Sequence, residues 1–181
     1  SLPENGIGFF SSDNDGAKTL YDKCDKEKYL AGISGGEVCA EDLSINEIGT
    51  EFTLKIKGEE PIKCNTVLLG KHSISNICLA VALAYKIGLT PKEIALGINR
   101  IQTVNHRLEL VPNNKGIVLI DDSYNSNEDG VKGAMEVLDT YSGRKIVLTP
   151  GLVELGKREN IANFEFGKTL AKHADIVIVI G

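Results

Sequence analysis

Ile117-Val118-Leu119-Ile120-Asp121-Asp122-Ser123-Tyr124-Asn125-Ser126-Asn127-Glu128-Asp129 is the stretch on which the fold turns. Its first residues, Ile117 to Ile120, form a short apolar run. Such a run reads as a strand buried on both faces, as inside a parallel sheet. Asp121 and Asp122 follow at its carboxyl end, and the segment Ser123–Asn127 is polar or amphipathic throughout. A helix is expected straight after, with Asn127 as N-cap and with Glu128 and Asp129 placing negative charge in the first turn. Ligands of open parallel sheets bind outside the carboxyl ends of strands. This polar cluster is therefore the leading candidate for a site, although the same residues would also make a plain acidic turn that caps a helix.

Toward the C-terminus, Val131, Ala134, Met135 and Leu138 recur at the spacing of an amphipathic helix. Lys145–Thr149 reads as a strand, Pro150–Gly156 as the loop at its carboxyl end, Asn160–His173 as a helix and Ile176–Ile180 as a final buried strand. A β-α-β-α-β order demands a parallel sheet with right-handed crossovers. A doubly wound domain continues past such a strand. The chain also starts at Ser1 with neither an initiator Met nor a signal peptide, so it reads as a piece of a longer protein.

Toward the N-terminus, Ile7–Phe10, a helix from Ala17 to about Cys24, and Tyr29–Ile33 make a strand-helix-strand unit and an α/β layer. Phe52–Lys57 alternates apolar and polar residues, Gly58–Pro61 supplies a turn and Ile62–Leu69 returns, which is an antiparallel hairpin. A helix from about Ile74 carries Ile77, Ala80, Val81 and Ala84 on one face and Leu79, Leu83 and Ile87 on the rest, so it is expected to be well buried. Gly88 ends it. Thr90-Pro91-Lys92-Glu93 is a capping box with Pro at the first helical position, opening a helix over Pro91–Ile101. Arg107–Val111 reads as a short strand. The boundary between two α/β domains, 1–102 and 103–181, falls near Thr103.

Composition narrows the function classes. The chain has 181 residues with a formal net charge of -5, and no basic stripe interleaved with aromatics, which excludes nucleic acid as a main partner. No apolar run approaches the ~20 residues that span a membrane. The four cysteines form no C-x-x-C pair and none sits near a His at zinc spacing, so reduced, buried thiols are expected.

Four polar clusters stand at element ends. Gly70–Asn76 opens a helix whose free N–H groups attract anions, and Asn76 carries the donor and acceptor that suit an adenine edge. Arg107 offers a guanidinium fork for phosphate. Asp122 is placed as a carboxylate that accepts from ribose hydroxyls after a strand, with the Tyr124 ring as a wall for a base. The loop Thr149–Gly156 carries Glu154 toward a second substrate. The alternatives at each point are local: a helix-face amide, an ion pair of Arg107 with Glu109, a solvated Glu154. No G-x-x-x-x-G-K-[ST] loop occurs.

Taken together, the clusters resemble a known family. Gly70-Lys71-His72-Ser73-Ile74-Ser75-Asn76 resembles the G-x-H-N-x-x-N segment of the Mur ligases, which build the peptide of peptidoglycan. Asn105-His106-Arg107-Leu108-Glu109 looks like the Arg-x-Glu that opens their C-terminal domain. Asp121-Asp122-Ser123-Tyr124-Asn125-Ser126-Asn127 is similar to the D-D-S-Y-N-A-N-P of the branch that adds D-alanyl-D-alanine, and Glu154-Leu155-Gly156 matches that branch's E-L-G. Phe10-Ser11-Ser12-Asp13 resembles its L-N-x-D. Order and spacing agree from about Phe9 to the end of the chain. Three positions depart from the pattern: Ser73 stands for Asn, Glu128 for Pro, and Leu152 lies in a loop without the G-D-M form.

The resemblance implies the end of a central ATPase domain followed by a truncated Rossmann-like, parallel-sheet C-terminal domain. It implies ATP with Mg²⁺ whose ligands lie upstream, and a UDP-sugar peptide and D-alanyl-D-alanine as substrates. His72, Asn76, Arg107, Asp122 and Tyr124 would bind nucleotide across the facing surfaces of two lobes, and Asn125, Asn127 and Glu154 would meet substrate. The full-length enzyme would be cytoplasmic and monomeric, and this fragment inactive alone. The competing readings are another Mur ligase, a folylpolyglutamate synthase-like ligase, or a non-catalytic nucleotide-binding module.

Overall fold

The computed structural model describes residues 3–46, 48–124 and 127–180, with Asp129 as backbone only. The chain divides into two compact units. One is built from residues up to Ile45 together with Gly49–Gln102, and the other carries the chain from Thr103 onward.

The first unit is an α/β layer on a mixed sheet. Its strands are β1 (Ile7–Ser11), β2 (Glu27–Gly32), β3 (Val38–Asn46), β4 (Gly49–Ile56) and β5 (Ile62–Thr66), lying side by side in that order. β1 pairs in parallel with β2, and β2 with β3. Helix α1 (Asp15–Lys23) makes the crossover from β1 to β2 and starts where the Asn14 side chain accepts from the Ala17 N–H at 2.9 Å. β4 and β5 form the expected antiparallel hairpin, Phe52 opposite Cys64.

Period-two patterning decides which side of β4 is buried. Phe52, Leu54 and Ile56 turn into the core, while Glu51 is exposed. They join a cluster with Ile74, Ile77, Cys78, Val81 and Ala82 of α2 (Lys71–Lys86) and Ile94 and Ile98 of α3 (Pro91–Asn99). Each of the Phe, Leu, Ile and Val side chains contributes roughly 1.5–3 kcal/mol by leaving water. The Thr90 capping box is formed in full: its side chain accepts from the Glu93 N–H, and the Glu93 carboxylate accepts from the Thr90 N–H at 2.8 Å.

Helix α2 departs from expectation in two ways. It starts at Lys71, because Gly70 at φ 86 lets the chain turn directly into it. It is also buried on one side only: Leu83 is 48% and Ile87 69% exposed, since the sheet covers a single face.

The second unit holds a hairpin and a βαβ unit. β6 (Glu109–Leu110) pairs antiparallel with β7 (Ile120–Asp121), and the ladder continues through Val111 N–H to the Leu119 carbonyl at 2.9 Å. Helix α4 (Glu128–Asp139) follows, then β8 (Ile146–Thr149), a 3-10 turn (Gly156–Arg158), α5 (Glu159–His173) and β9 (Ile176–Val179). β8 and β9 lie parallel, Ile146 opposite Ile176, joined by α5 as the crossover helix. The α/β class is as expected.

Two strand readings are corrected. Ile117–Ile120 does not lie inside a parallel sheet. Only Ile120 is strand, its partner β6 is antiparallel, and Ile117, Val118 and Leu119 are about half exposed. The turn Asn113–Gly116 brings β6 back as the nearest partner, so the run closes a local hairpin instead. Asn113 secures that turn by donating to the Ile117 carbonyl at 2.9 Å. The strand expected to be buried at Ile176–Ile180 is exposed along its length, because β8 is its one pairing partner among the described residues and the inward face of α5 covers little of it.

Candidate functional site

The richest cluster of functional groups in the second unit is built by two short segments, residues 106–109 and 121–124. They are zipped together by polar bonds rather than by a long strand pair. The Tyr124 N–H donates to the His106 carbonyl at 3.1 Å, and the Leu108 N–H donates to Asp122 Oδ1 at 3.2 Å. His106 Nδ1 meets Asp121 Oδ2 at 2.7 Å. The other Asp121 oxygen accepts from the Ser123 N–H at 3.0 Å, closing an Asx turn. His106 (φ 64) and Leu108 (φ 45) both occupy the left-handed region, and Leu108 is buried beneath the turn.

This frame places Arg107 over the Tyr124 ring, with the guanidinium carbon 4.5 Å from the ring centroid. Tyr124 is exposed, so the open side of its ring is available to a planar group. Three of the residues singled out in the sequence, Arg107, Asp122 and Tyr124, are therefore brought together by adjacent backbone bonds. Together they offer a cation with a fork of donors, a carboxylate acceptor and an aromatic face. Those are the groups that phosphate, ribose hydroxyls and a base require.

The electrostatics follow from the same contacts. Bonding to the Asp121 carboxylate raises the His106 imidazole above its usual value, and Glu109 adds to the effect. Asp121 is held below the ordinary carboxylate range, first by Ser123 and then by His106.

Among the described residues, His106, Glu109 and Asp121 are the one set of potential metal ligands whose donor atoms all lie within 4.8 Å of one another. These atoms are engaged with each other and with the backbone: Glu109 accepts from the His106 N–H at 3.0 Å. The set forms a hydrogen-bonded latch between the two segments.

Asn127 caps α4, its side-chain oxygen accepting from the Gly130 N–H at 2.7 Å. Asn125 lies outside the described residues. Glu154 sits at φ 63, exposed, in the loop after β8. That loop is pinned from α5, where Asn163 accepts from the Leu152 N–H at 2.8 Å and donates to the Leu152 carbonyl at 2.7 Å. Arg158, at the loop's far end, meets Glu128 of α4 at 2.8 Å.

In the first unit, His72 and Asn76 stand one turn apart on α2, and both are exposed. The first turns of α2 also meet Asp13, which sequence reasoning reached only through a family likeness. Asp13 follows β1 and accepts from the N–H groups of Ile33 at 2.8 Å and Ser34 at 2.7 Å. Burial pushes its carboxyl up, but hydrogen bonds from Ser75 and from these backbone groups outweigh that and hold it low. The signal that marks it is a carboxylate just past a strand's carboxyl end and before the helix cap Asn14. Cys64 and Cys78 are buried, and burial pushes the Cys78 thiol up to about 12.

Residues 106–181 match the family described as Mur ligase, glutamate ligase domain. Over 175 residues the chain is 29% identical to a UDP-N-acetylmuramoyl-tripeptide–D-alanyl-D-alanine ligase of Bacillus subtilis, covering 94% of this chain and 36% of that ligase. Residues 106–181 belong to the Mur ligase family, and the similarity to Mur ligases runs along nearly the whole chain. Its fold is that of solved members. A MurF structure from Acinetobacter baumannii superposes with a TM-score of 0.90 at 23% identity, over 99% of this chain and 39% of that one. A Thermotoga maritima MurF solved in complex with ADP gives 0.83 at 20%, over 96% and 40%. The chain spans well under half the length of these Mur ligases.

Proposed function

We propose that this chain is part of an ATP-dependent enzyme of peptidoglycan-precursor synthesis, one that joins D-alanyl-D-alanine to UDP-N-acetylmuramoyl-tripeptide. The observation that carries the reading is the grouping of Arg107 with Asp122 and Tyr124 of the Asp-Asp-Ser-Tyr-Asn-Ser-Asn string. The similarity to a D-alanyl-D-alanine ligase supports the dipeptide as nucleophile. Residues 1–102 are then the end of the central ATP-binding domain and 103–181 the first part of the C-terminal ligase domain.

The reaction runs in two steps. The tripeptide carboxylate takes the γ-phosphoryl group of ATP, releasing ADP and giving an acyl phosphate. The amine of D-alanyl-D-alanine attacks the acyl carbon, loses a proton and expels inorganic phosphate. Arg107 meets the phosphates through a fork of N–H donors. Asp122 accepts from the ribose hydroxyls, and Tyr124 walls the base. Asn76 and His72 hold the adenine end. Asn125, Asn127 and Glu154 are assigned to the peptide substrates. Mg²⁺ would supply screening of the phosphate charge, as phosphoryl transfer requires, with its ligands expected in the part of the longer protein outside this chain. The enzyme works in the cytoplasm as a monomer. Among the described residues, no helix is long and apolar enough to cross a membrane.

A phosphate-release assay on the full-length protein tests the reading. Release is expected with UDP-N-acetylmuramoyl-tripeptide and D-alanyl-D-alanine together. Turnover with a single amino acid in place of the dipeptide would reassign the substrate. The 181-residue chain has no G-x-x-x-x-G-K-[ST] loop. Made alone, it is expected to release no phosphate above a vector control.

A further inference from the structure

We propose that Asp121 is a positioning residue for nucleotide binding: it latches the segment carrying Arg107 to the segment carrying Asp122 and Tyr124. The inference rests on the nucleotide reading above and names a residue that reading leaves without a role.

The latch matters because the backbone bonds that also join the two segments, Tyr124 N–H to the His106 carbonyl and Leu108 N–H to Asp122, depend on how His106 and Leu108 are held. β6 and β7 pair over two residues each, too short to fix the loops that follow. His106 sits in the left-handed region, which costs a non-glycine residue about 1 kcal/mol or more and persists only where neighbours hold it. Glu109 holds the His106 N–H at 3.0 Å, and Asp121 holds its ring. Oδ2 reaches across to the His106 ring at 2.7 Å, and Oδ1 closes the turn at the Ser123 N–H at 3.0 Å.

The consequences pass along the backbone. Fixing His106 fixes its carbonyl, which accepts from the Tyr124 N–H at 3.1 Å, and fixes the start of Arg107, whose guanidinium lies over the Tyr124 ring. Both Asp121 oxygens face protein partners, so its effect on nucleotide runs through Arg107 and Tyr124. Holding two ligand-binding side chains in their bound arrangement lowers the ordering cost of binding.

The test uses the full-length protein and its Michaelis constant for ATP. Asp121→Ala is expected to raise the KM for ATP about tenfold and to leave the KM for both peptide substrates unchanged. General loss of folded enzyme would instead lower kcat with every KM unmoved. His106→Ala is expected to give a similar rise, and the double variant a rise no larger than the greater single one, because both remove the same bond. Asp121→Asn keeps an oxygen for the Ser123 N–H and an amide that can donate to the His106 ring. It is expected to restore the KM to within about threefold, and it serves as the decisive variant should Asp121→Ala fold poorly.

Asp122→Ala separates the two possible failures. A raised KM for ATP in Asp122→Ala with a normal one in Asp121→Ala, or additive effects in the Asp121/His106 double variant, would overturn the latch alone. A normal KM in Asp122→Ala would bring down the nucleotide reading and the latch with it.

Discussion

Asp122 concentrates the chemistry of the site in one carboxylate. One of its oxygens accepts from the Leu108 N–H, and a carboxylate carries about four acceptor sites in all. Removing it therefore loses two things, a backbone anchor and the ribose contact. Hydrogen bonds to a charged group are worth ~1.5–3 kcal/mol, so Asp122→Ala in the full-length protein is expected to weaken ATP binding at least about tenfold by calorimetry. His106 and Asp121 make a second prediction, readable by NMR titration. The His106 imidazole titrates higher in the folded chain than an unpaired imidazole does. Its contribution to stability is full below about pH 6.5 and is lost as pH rises through the raised value. Asp121 is shifted the other way, so its contribution is full above about pH 4 and is lost as pH falls. The pair is thus strongest between those limits, and Asp121→Asn is expected to move the His106 midpoint down; an unmoved midpoint would deny the contact. Arg107, Asp122 and Tyr124 were legible in the sequence because each is a distinctive residue type beside an element end. The Asp121–His106 bond was not. It joins residues fifteen apart through a turn whose left-handed φ values fall on His106 and Leu108, which no local pattern announces.

Thr90 shows how a single side chain can decide an element. Its capping box satisfies N–H groups that α3 would otherwise leave bare. Thr90→Ala is expected to destabilise the first unit by about 1 kcal/mol, measured by chemical denaturation, and Thr90→Ser to recover most of it. This helix start, the β4–β5 hairpin and the β8–α5–β9 crossover were all readable from sequence. Each is encoded by adjacent residues: a cap with Pro91, a period-two alternation, an apolar run bounded by turns. What the sequence misjudged was burial. Ile117–Leu119 and Ile176–Ile180 carry the composition of interior strands, but composition does not say what lies alongside. In the first case a hairpin turn supplied an antiparallel neighbour, and in the second the face is left open. Leu83 and Ile87 repeat the lesson on α2, since an all-round apolar helix still meets one sheet face.

Over the whole chain, stability is divided unequally. The first unit owns a continuous apolar core drawn from β2, β3, β4, β5, α2 and α3. The second buries Met135, Val137, Tyr141, Leu152, Ala162 and Leu170, with Leu108 under the site turn, while β9 and much of β8 stay exposed. Apolar area removed from water is the main favourable term in folding, at ~25 cal/mol per Å², so the second unit has much less with which to offset the entropy of ordering its backbone. The exposed strands also leave their hydrogen bonds open to solvent, which marks a region of low local stability. Unfolding of the 181-residue chain is therefore expected in two steps. Under rising urea, amide hydrogens of β8, β9 and α4 should exchange at concentrations where those of β4, α2 and α3 remain protected. The early step should carry the smaller urea dependence, because that dependence scales with the surface exposed. Hydrogen-exchange mass spectrometry resolves the two sets by peptide. If β9 and β4 lost protection together in one transition, the two units would have to share their stability, and the apolar surface of the second would not set its limit.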